Sequence, residues 1–461
     1  METTPHDSLD LSGRRVLVLG AGLSGRSAAR FCAERGADVI VADERPEASL
    51  DPNEFPTGVE LRCGRPLGEL AEGPFDLLVP SPGVPRERYP EALRNGRPAD
   101  VWGDIELAYR AMPIPIAAVT GTNGKSTTTC LLEALLDHAG LRAAAAGNLG
   151  TPALELVGQP LDVAVLEVSS FQLETIERFR PTVALILNIT PDHLDRHGNL
   201  ASYVSAKARI LENQLERDSA ILNDDDPLVR ELASRTAARV FRFSRHRPQE
   251  RGAWLDGDAV VLRDGAQERR IGLEALAIPG RYNRDNAAMA LCAAMALGAD
   301  LARAADALPS FRGLPHRSEL VGEIDGIRYV NDSKATNPGA AARSLEGLGA
   351  RTVWIAGGRD KGLDFSVLAD VASSRVRTAL LIGEASAALD AALPDSVPRE
   401  RCETLERAVT RAAALAEPGD VVLLAPACAS FDQFASFAAR GDAFRSQVAR
   451  LKPQTNAGAG V

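Results

Sequence analysis

AVTGTNGKSTTTC, residues 118–130, joins a buried strand to a helix through a glycine loop. The apolar run Ile116–Val119 predicts the strand, and Leu131, Leu132, Leu135 and Leu136 recur at helical spacing and predict the inner side of the helix. Between them lie Gly121, Thr122, Asn123 and Gly124. Such a loop aims backbone N–H groups at phosphate oxygens, and the helix dipole adds to the attraction. Lys125 is placed to reach terminal phosphates, and Ser126, followed by Thr127, to hold Mg²⁺ through a hydroxyl. The spacing GxxGKST departs from the full phosphate-loop pattern, which has a glycine where Val119 sits. A plain glycine-rich turn with an incidental lysine is the competing reading. The order strand, glycines, lysine, hydroxyls, helix favours a nucleotide site.

The bulk properties fit an enzyme. At about 150 residues per domain, 461 residues predict three domains. A hydrophobic fraction of 45% with 25% charged residues predicts a soluble globular chain. The formal charge of −10 argues against nucleic acid as main partner, while leaving room for a local basic nucleotide pocket. Cys32, Cys63, Cys130, Cys292, Cys402 and Cys428 show no CxxC spacing and read as reduced core residues of a cytoplasmic protein. No long apolar run predicts a leader peptide or a membrane span.

Outward from the phosphate loop, the first segment carries a second glycine motif. Arg15–Gly20 predicts a strand running into Gly20, Gly22 and Gly25 in GxGxxG spacing, then a helix, then a strand Val39–Ala42 ending at Asp43. Taken alone this pattern says NAD, although the glycines only require close backbone approach and tight helix packing. A strand Leu77–Val79 ends in Ser81-Pro82-Gly83, at the sheet edge where ligands of open α/β folds bind. Asp104–Ala111 reads as a connecting helix, and Pro113 and Pro115 mark a boundary.

Beyond the loop, Asn148 sits in a turn, and the strand Val163–Val168 carries Glu167. The strand Val183–Asn188 leads to Asp192, His193, Asp195 and His197, and Lys207 lies on a helix around Tyr203–Leu211. WLDGDAVVLRDG, within 245–270, predicts a hairpin, and PGRYNRDN (279–286) is expected to precede an alanine-rich helix. The third segment starts at GLPHR (313–317). It contains NDSKATNP (331–338), GGRDKGLDF (357–365) after a strand Thr352–Ala356, a strand Leu380–Gly383, and PACASFDQF (426–434) after a strand Val421–Leu424. The tail after Leu451 is expected to be disordered. The expected fold is α/β in three domains, 1–111, 112–312 and 313–461. The first and third are Rossmann-like, and the central one is a phosphate-loop domain with a mostly parallel sheet.

Three strand ends gather polar groups: Lys125 and Ser126, Glu167, and Asp192 with His193. Ser126 and Glu167 suit Mg²⁺, which wants oxygen ligands. His193, just past a strand end, is expected to touch metal or substrate, Asp195 to brace the loop, and His197 to lie on the surface. Lys207, from spacing alone, reads as a solvated helix lysine.

These motifs together resemble the Mur ligase family of cell-wall amide ligases, along nearly the whole chain. GTNGKST, EVSSFQLE (167–174) and NITPDHLDRHG (188–198) are similar to the family's ATPase core. NDSKATNP, GGRDKGLDF and PACASFDQF resemble its glutamate-adding branch. The resemblance implies an ATP- and Mg²⁺-dependent ligase of peptidoglycan precursor synthesis. It would add D-glutamate to UDP-N-acetylmuramoyl-L-alanine through an acyl phosphate, with L-glutamate or another amino acid as the alternative, since both enantiomers carry the same charges. It implies that the first domain grips UDP rather than NAD, through Leu23, Ser24, Asp43, Glu44, Arg45, Ser81, Pro82 and Gly83, with Asn148 on the muramoyl part. ATP would lie on Gly121–Thr127 with Asn283 and Asn286, while Arg317 and Asp332 reach it from the third domain by closure about a hinge near 311–314. Lys334, Thr336, Lys361, Ser430 and Phe437 would hold or frame glutamate. Lys207 would be carbamoylated, a metal ligand beside Ser126, Glu167 and His193. Lys125, Glu167, His193 and Lys207 would carry the chemistry, and the expected state is a monomer. Two rivals are an NAD-dependent dehydrogenase with an accessory nucleotide site and a nucleotide-gated binding protein.

Overall fold

A computed structural model of the chain describes residues 9–70, 73–89, 100–278, 280–348, 351–360 and 362–451. They form three sheets. The first is all parallel, in the order β3-β2-β1-β4-β5, from β1 (Arg15–Leu19), β2 (Asp38–Asp43), β3 (Glu60–Cys63), β4 (Leu77–Pro80) and β5 (Asp100–Val101). Its apolar strands are buried on both faces, as parallel strands under crossover helices must be. The glycine motif turns β1 into the helix Leu23–Glu34. A Cβ on Gly25 would stand 1.8 Å from the carbonyl oxygen of Gly20, so the helix packs where only glycine fits.

The second sheet has nine strands in the order β14-β13-β12-β11-β10-β9-β6-β8-β7. They are β6 (Ile116–Thr120), β7 (Ala143–Gly147), β8 (Val163–Glu167), β9 (Val183–Ile186), β10 (Ser219–Asn223), β11 (Arg239–Ser244), β12 (Gly252–Asp256), β13 (Ala259–Asp264) and β14 (Gln267–Gly272). The expected hairpin is β12–β13, and β14 extends it as a third antiparallel strand. The other pairs are parallel, and β6 lies between β8 and β9, with Val119 opposite Glu167 and Thr120 opposite Ile186. That order brings the phosphate loop, Glu167 and the loop after β9 to one sheet edge.

The third sheet runs β15-β16-β20-β17-β18-β19, parallel except for β15. Its strands are β15 (Glu319–Ile324), β16 (Ile327–Asn331), β17 (Thr352–Gly357), β18 (Val376–Ile382), β19 (Arg399–Glu403) and β20 (Val421–Leu424). Because β20 sits between β16 and β17, NDSKATNP, GGRDKGLDF and PACASFDQF leave three adjacent strands at the same edge.

The chain sorts into two compact units, Met1–Gly272 with Ala288–Ala307, and Leu273–Ala287 with Leu308–Val461. The first holds the first two sheets over one continuous core, bridged by Ile105, Leu107 and Ala108 of the helix Asp104–Ala111. The helix Arg281–Ala296 starts in the second unit and ends in the first. It begins inside PGRYNRDN, so that motif forms the first turns rather than a loop before them. The tail beyond Leu451 lies outside the described residues.

Candidate active site

The loop after β6 is held by glycine geometry and by one asparagine. Gly121 has φ +152°, and a Cβ there would meet Leu187 Cβ at 3.1 Å and the Asn188 backbone at 3.3 Å. Gly124, at φ +85°, turns the chain into the helix Lys125–His138 in a left-handed conformation that glycine adopts without strain. Asn188 braces the loop from both sides. Its Oδ1 accepts from the Asn123 N–H and its Nδ2 donates to the Asn123 carbonyl, each at 2.9 Å. The Thr122 N–H donates to the Asn188 carbonyl at 2.8 Å, and the Thr122 hydroxyl meets the Tyr203 hydroxyl at 3.1 Å. Sequence reasoning passed over Asn188 and Tyr203. Asn188 was visible as the polar residue closing an apolar strand.

Lys125 curls over its own loop, its Nζ donating to the carbonyls of Gly121 at 2.9 Å and Thr122 at 3.0 Å. Ser126 Oγ donates to Glu167 Oε2, and Asn148 Nδ2 donates to Glu167 Oε1 at 2.8 Å. Ser126 and Glu167 are each 1% exposed. A hydroxyl, a carboxylate and an amide thus converge beside a phosphate loop, and this oxygen-rich donor set fits a hard dication such as Mg²⁺. Asn148 is engaged with Glu167 through both its side chain and its N–H, which reaches the Glu167 carbonyl at 2.9 Å.

Lys207 is 1% exposed, which overturns the solvated-lysine reading. Its Nζ donates to the Gly121 carbonyl at 2.8 Å, the same oxygen that Lys125 uses, and lies 4.7 Å from the centre of the Tyr203 ring. Burial, then the charge of Lys125, push the Lys207 pKa well below the ordinary lysine value, against the opposing pull of Asp192 and Glu167.

His193 takes a left-handed backbone at φ 51°, and its half-exposed ring packs edge-on to Phe171 at 5.0 Å, with Asp192 Oδ2 at 3.7 Å. Among the described residues, no three or more His, Cys, Asp or Glu side chains are grouped to hold a metal. Ser126 and Glu167 come together directly, whereas the His193 ring lies against Asp192 and Phe171. His197 is not a surface residue. Its side chain is 4% exposed, stacks on Phe171 at 5.5 Å and shares a 3.0 Å hydrogen bond with Ser170 Oγ. Burial lowers its pKa, which favours the neutral ring.

At the carboxyl edge of the first sheet, Asp43 is engaged. Its carboxylate accepts from the Ala21 N–H at 2.6 Å and from the Arg45 N–H and guanidinium at 2.9 Å. Burial alone would raise the Asp43 pKa, but Arg45 and the Ala21 N–H outweigh it and hold the carboxyl below its ordinary value. A dinucleotide site needs that carboxylate for a ribose hydroxyl. Glu44 pairs with Arg88, and Ser81 Oγ donates to the Gly20 carbonyl at 3.2 Å, while Ser24 lies in the first turn of the helix Leu23–Glu34. Leu23 is exposed at the start of the helix. Pro82 and Gly83 continue the Ser81 loop at the end of β4.

In the second unit, Lys334 Nζ lies 4.2 Å from the centre of the Phe437 ring, and the Thr336 N–H donates to the Lys334 carbonyl at 2.8 Å. Ser430 is 2% exposed. Asp332 accepts from Ser344 Oγ and from the Ser318 N–H at 3.2 Å. Arg317 follows His316, whose carbonyl accepts the Lys334 N–H at 3.1 Å. Asn286 Nδ2 donates to Asn283 Oδ1 at 3.2 Å. Lys361 lies outside the described residues.

Family models match three stretches: one described as Mur ligase MurD-like, N-terminal domain over residues 14–95, the Mur ligase middle domain over 119–294, and the Mur ligase, glutamate ligase domain over 316–428. The chain belongs to the Mur ligase family. Among its relatives, a protein of Pelotomaculum thermopropionicum named UDP-N-acetylmuramoylalanine--D-glutamate ligase is 43% identical over 96% of this Mur ligase and 99% of its own length. A protein of the same name from Koribacter versatilis is 42% identical over 97% and 99%. Two solved structures share the fold: a pseudomurein peptide ligase type C from Methanothermus fervidus, with TM-score 0.60 and 20% identity over 95% of this chain and all of its own, and MurF ligase from Thermotoga maritima, with TM-score 0.58 and 17% identity over 96% and 97%. No helix among the described residues of this Mur ligase is long and apolar enough to cross a membrane.

Proposed function

We propose that this Mur ligase joins D-glutamate to the alanyl carboxylate of UDP-N-acetylmuramoyl-L-alanine, consuming ATP, in peptidoglycan precursor synthesis. The observation that carries the reading is the near-full-length match to relatives bearing that name. The test is ADP release, which requires ATP, Mg²⁺, the uridine substrate and D-glutamate together.

The chemistry follows from the residues. The alanyl carboxylate attacks the γ-phosphorus, the bond to the bridging oxygen breaks, and ADP leaves. The amine of glutamate then attacks the acyl carbon, phosphate leaves with the bonding pair, and the amine gives up a proton. Two anions must meet in the first step. Lys125 and the N–H groups of Gly121–Thr127 supply the positive field that offsets their repulsion. Ser126 Oγ and Glu167 would hold Mg²⁺, which adds charge neutralisation there, and His193 with carbamoylated Lys207 would hold a second ion. Support for the carbamate comes from Lys207 itself, a buried amine whose charged form is disfavoured. Carbon dioxide would add to the neutral amine, whose nitrogen gives up a proton to solvent, and would leave a carbamate anion as an oxygen ligand.

Leu23, Ser24, Asp43–Arg45, Ser81–Gly83 and Asn148 take the uridine substrate in this reading. Asn283, Asn286, Arg317 and Asp332 complete ATP binding, and Lys334, Thr336, Lys361, Ser430 and Phe437 receive glutamate. The division into domains 1–111, 112–312 and 313–461, a monomeric state and a cytoplasmic location belong to the same proposal.

A further inference from the structure

The carboxyl ends of β16, β17 and β20 meet over one buried guanidinium. Arg440, in the first turn of the helix Phe437–Leu451, is 1% exposed. Its Nε donates to Ser333 Oγ at 3.0 Å. Nη1 donates to the carbonyls of Ala429 at 3.1 Å and Gly357 at 3.4 Å, and Nη2 to those of Ser333 at 3.0 Å and Cys428 at 3.1 Å. Every acceptor is a neutral oxygen. Burial lowers the Arg440 pKa to about 10, with Cys428 and Asp432 pulling the other way.

A fully buried charge ordinarily carries a counter-charge, so a guanidinium spent on neutral oxygens needs a reason. The reason lies in what it ties together. Ser333 belongs to NDSKATNP, Gly357 to GGRDKGLDF, and Cys428 and Ala429 to PACASFDQF. Those loops carry Lys334, Thr336 and Ser430. The Ser333 hydroxyl also donates to the Phe437 carbonyl at 2.8 Å, which fastens the start of the helix to the first loop. The glycine pair at the end of β17, Gly357 and Gly358, makes room for the fork. A Cβ on Gly358 would stand 3.0 Å from Arg440 Nη1 and 2.2 Å from the Ala429 carbonyl oxygen.

We propose that Arg440 is a positioning residue for the incoming amino acid, its planar fork holding three loops at the spacing at which their side chains grip the substrate together. The proposal rests on the reading of these loops as the glutamate site. Arg440 is sealed from solvent and acts only through the groups it spaces. A lysine keeps the charge but places one ammonium where a five-donor fork spans three loops.

The test compares R440K and R440M with the full-length wild type, measuring Tm and the KM for D-glutamate, ATP and the uridine substrate separately. Both variants are expected to raise the D-glutamate KM about tenfold or more, the uridine-substrate KM staying within about twofold and the ATP KM, through Asp332 beside Ser333, rising less than that for D-glutamate. S333A, which removes one acceptor of the fork, is expected to show the same selective rise at smaller size, and it decides the matter if neither Arg440 variant folds. A wild-type D-glutamate KM in R440K overturns the proposal. So does a parallel change in all three KM values that tracks a fall in Tm, and so does an unselective S333A. Wild-type turnover is measured first. If D-glutamate supports none, the substrate reading fails, and the same KM comparison is made on the amino acid that does support it.

Discussion

Lys207 and Lys125 place two amine nitrogens on one carbonyl, that of Gly121. In the proposed reaction the Lys125 contact is replaceable, because phosphate oxygens would offer a better partner. Lys125→Ala is expected to keep the wild-type Tm and to lose about 10²–10³-fold in kcat, the usual scale for removing one preorganised donor to a developing charge. Steady-state ADP release with a parallel melt checks it. For Lys207 the environment acts on stability. Its folded pKa lies below its unfolded value of about 10.4, so unfolding takes up a proton in the interval between them. The wild type therefore loses stability as pH falls through that interval. In carbon dioxide-free buffer at pH 7, Lys207→Met is expected to be inactive yet more stable, because unfolding the wild type takes up a proton that the variant has no group to bind. That gain closes as pH approaches 10.4. Equal melting at both pH values would contradict the burial argument. Neither lysine environment was equally legible in the sequence. Lys125 is defined by neighbours within a few residues, whereas the carbonyl that buries Lys207 is 86 residues away. His197 was misread for the same reason, its cover coming from Phe171 and Ser170.

Elements set the site through close approach. Gly147 ends β7 at φ +95°, and a Cβ there would stand 2.3 Å from the Glu167 carbonyl oxygen. Gly147→Ala is expected to push β7 from β8 and shift Glu167. The Tm should fall by the equivalent of about 1–3 kcal/mol, and activity should fall further than the lost fraction of folded protein explains. Gly158, also at positive φ but with nothing within 4 Å of its Cβ position, is the control, and its alanine variant should keep full activity. Strand and loop identity were legible because apolar runs ending in glycine or polar residues announce the carboxyl ends of parallel strands. The Arg440 fork was not, since nothing local marks an arginine as buried.

At the scale of the molecule, three mostly parallel sheets each present loops at their carboxyl edge. The GxGxxG motif predicted the first sheet, a parallel one whose first strand turns into a helix at Gly20–Gly25. The glycines report backbone packing rather than a ligand, and Asp43 beside them is held by the Ala21 N–H and Arg45. Calorimetry on the full chain is expected to give binding of the uridine substrate and no heat with NAD; tighter NAD binding would contradict the assignment. The central claim is tested most directly by ADP release with ATP, Mg²⁺ and UDP-N-acetylmuramoyl-L-alanine, adding D-glutamate, L-glutamate and other amino acids in turn. The account predicts ADP release with D-glutamate, in step with an amide product. Release without the amino acid, or turnover with L-glutamate and none with D-glutamate, would contradict it.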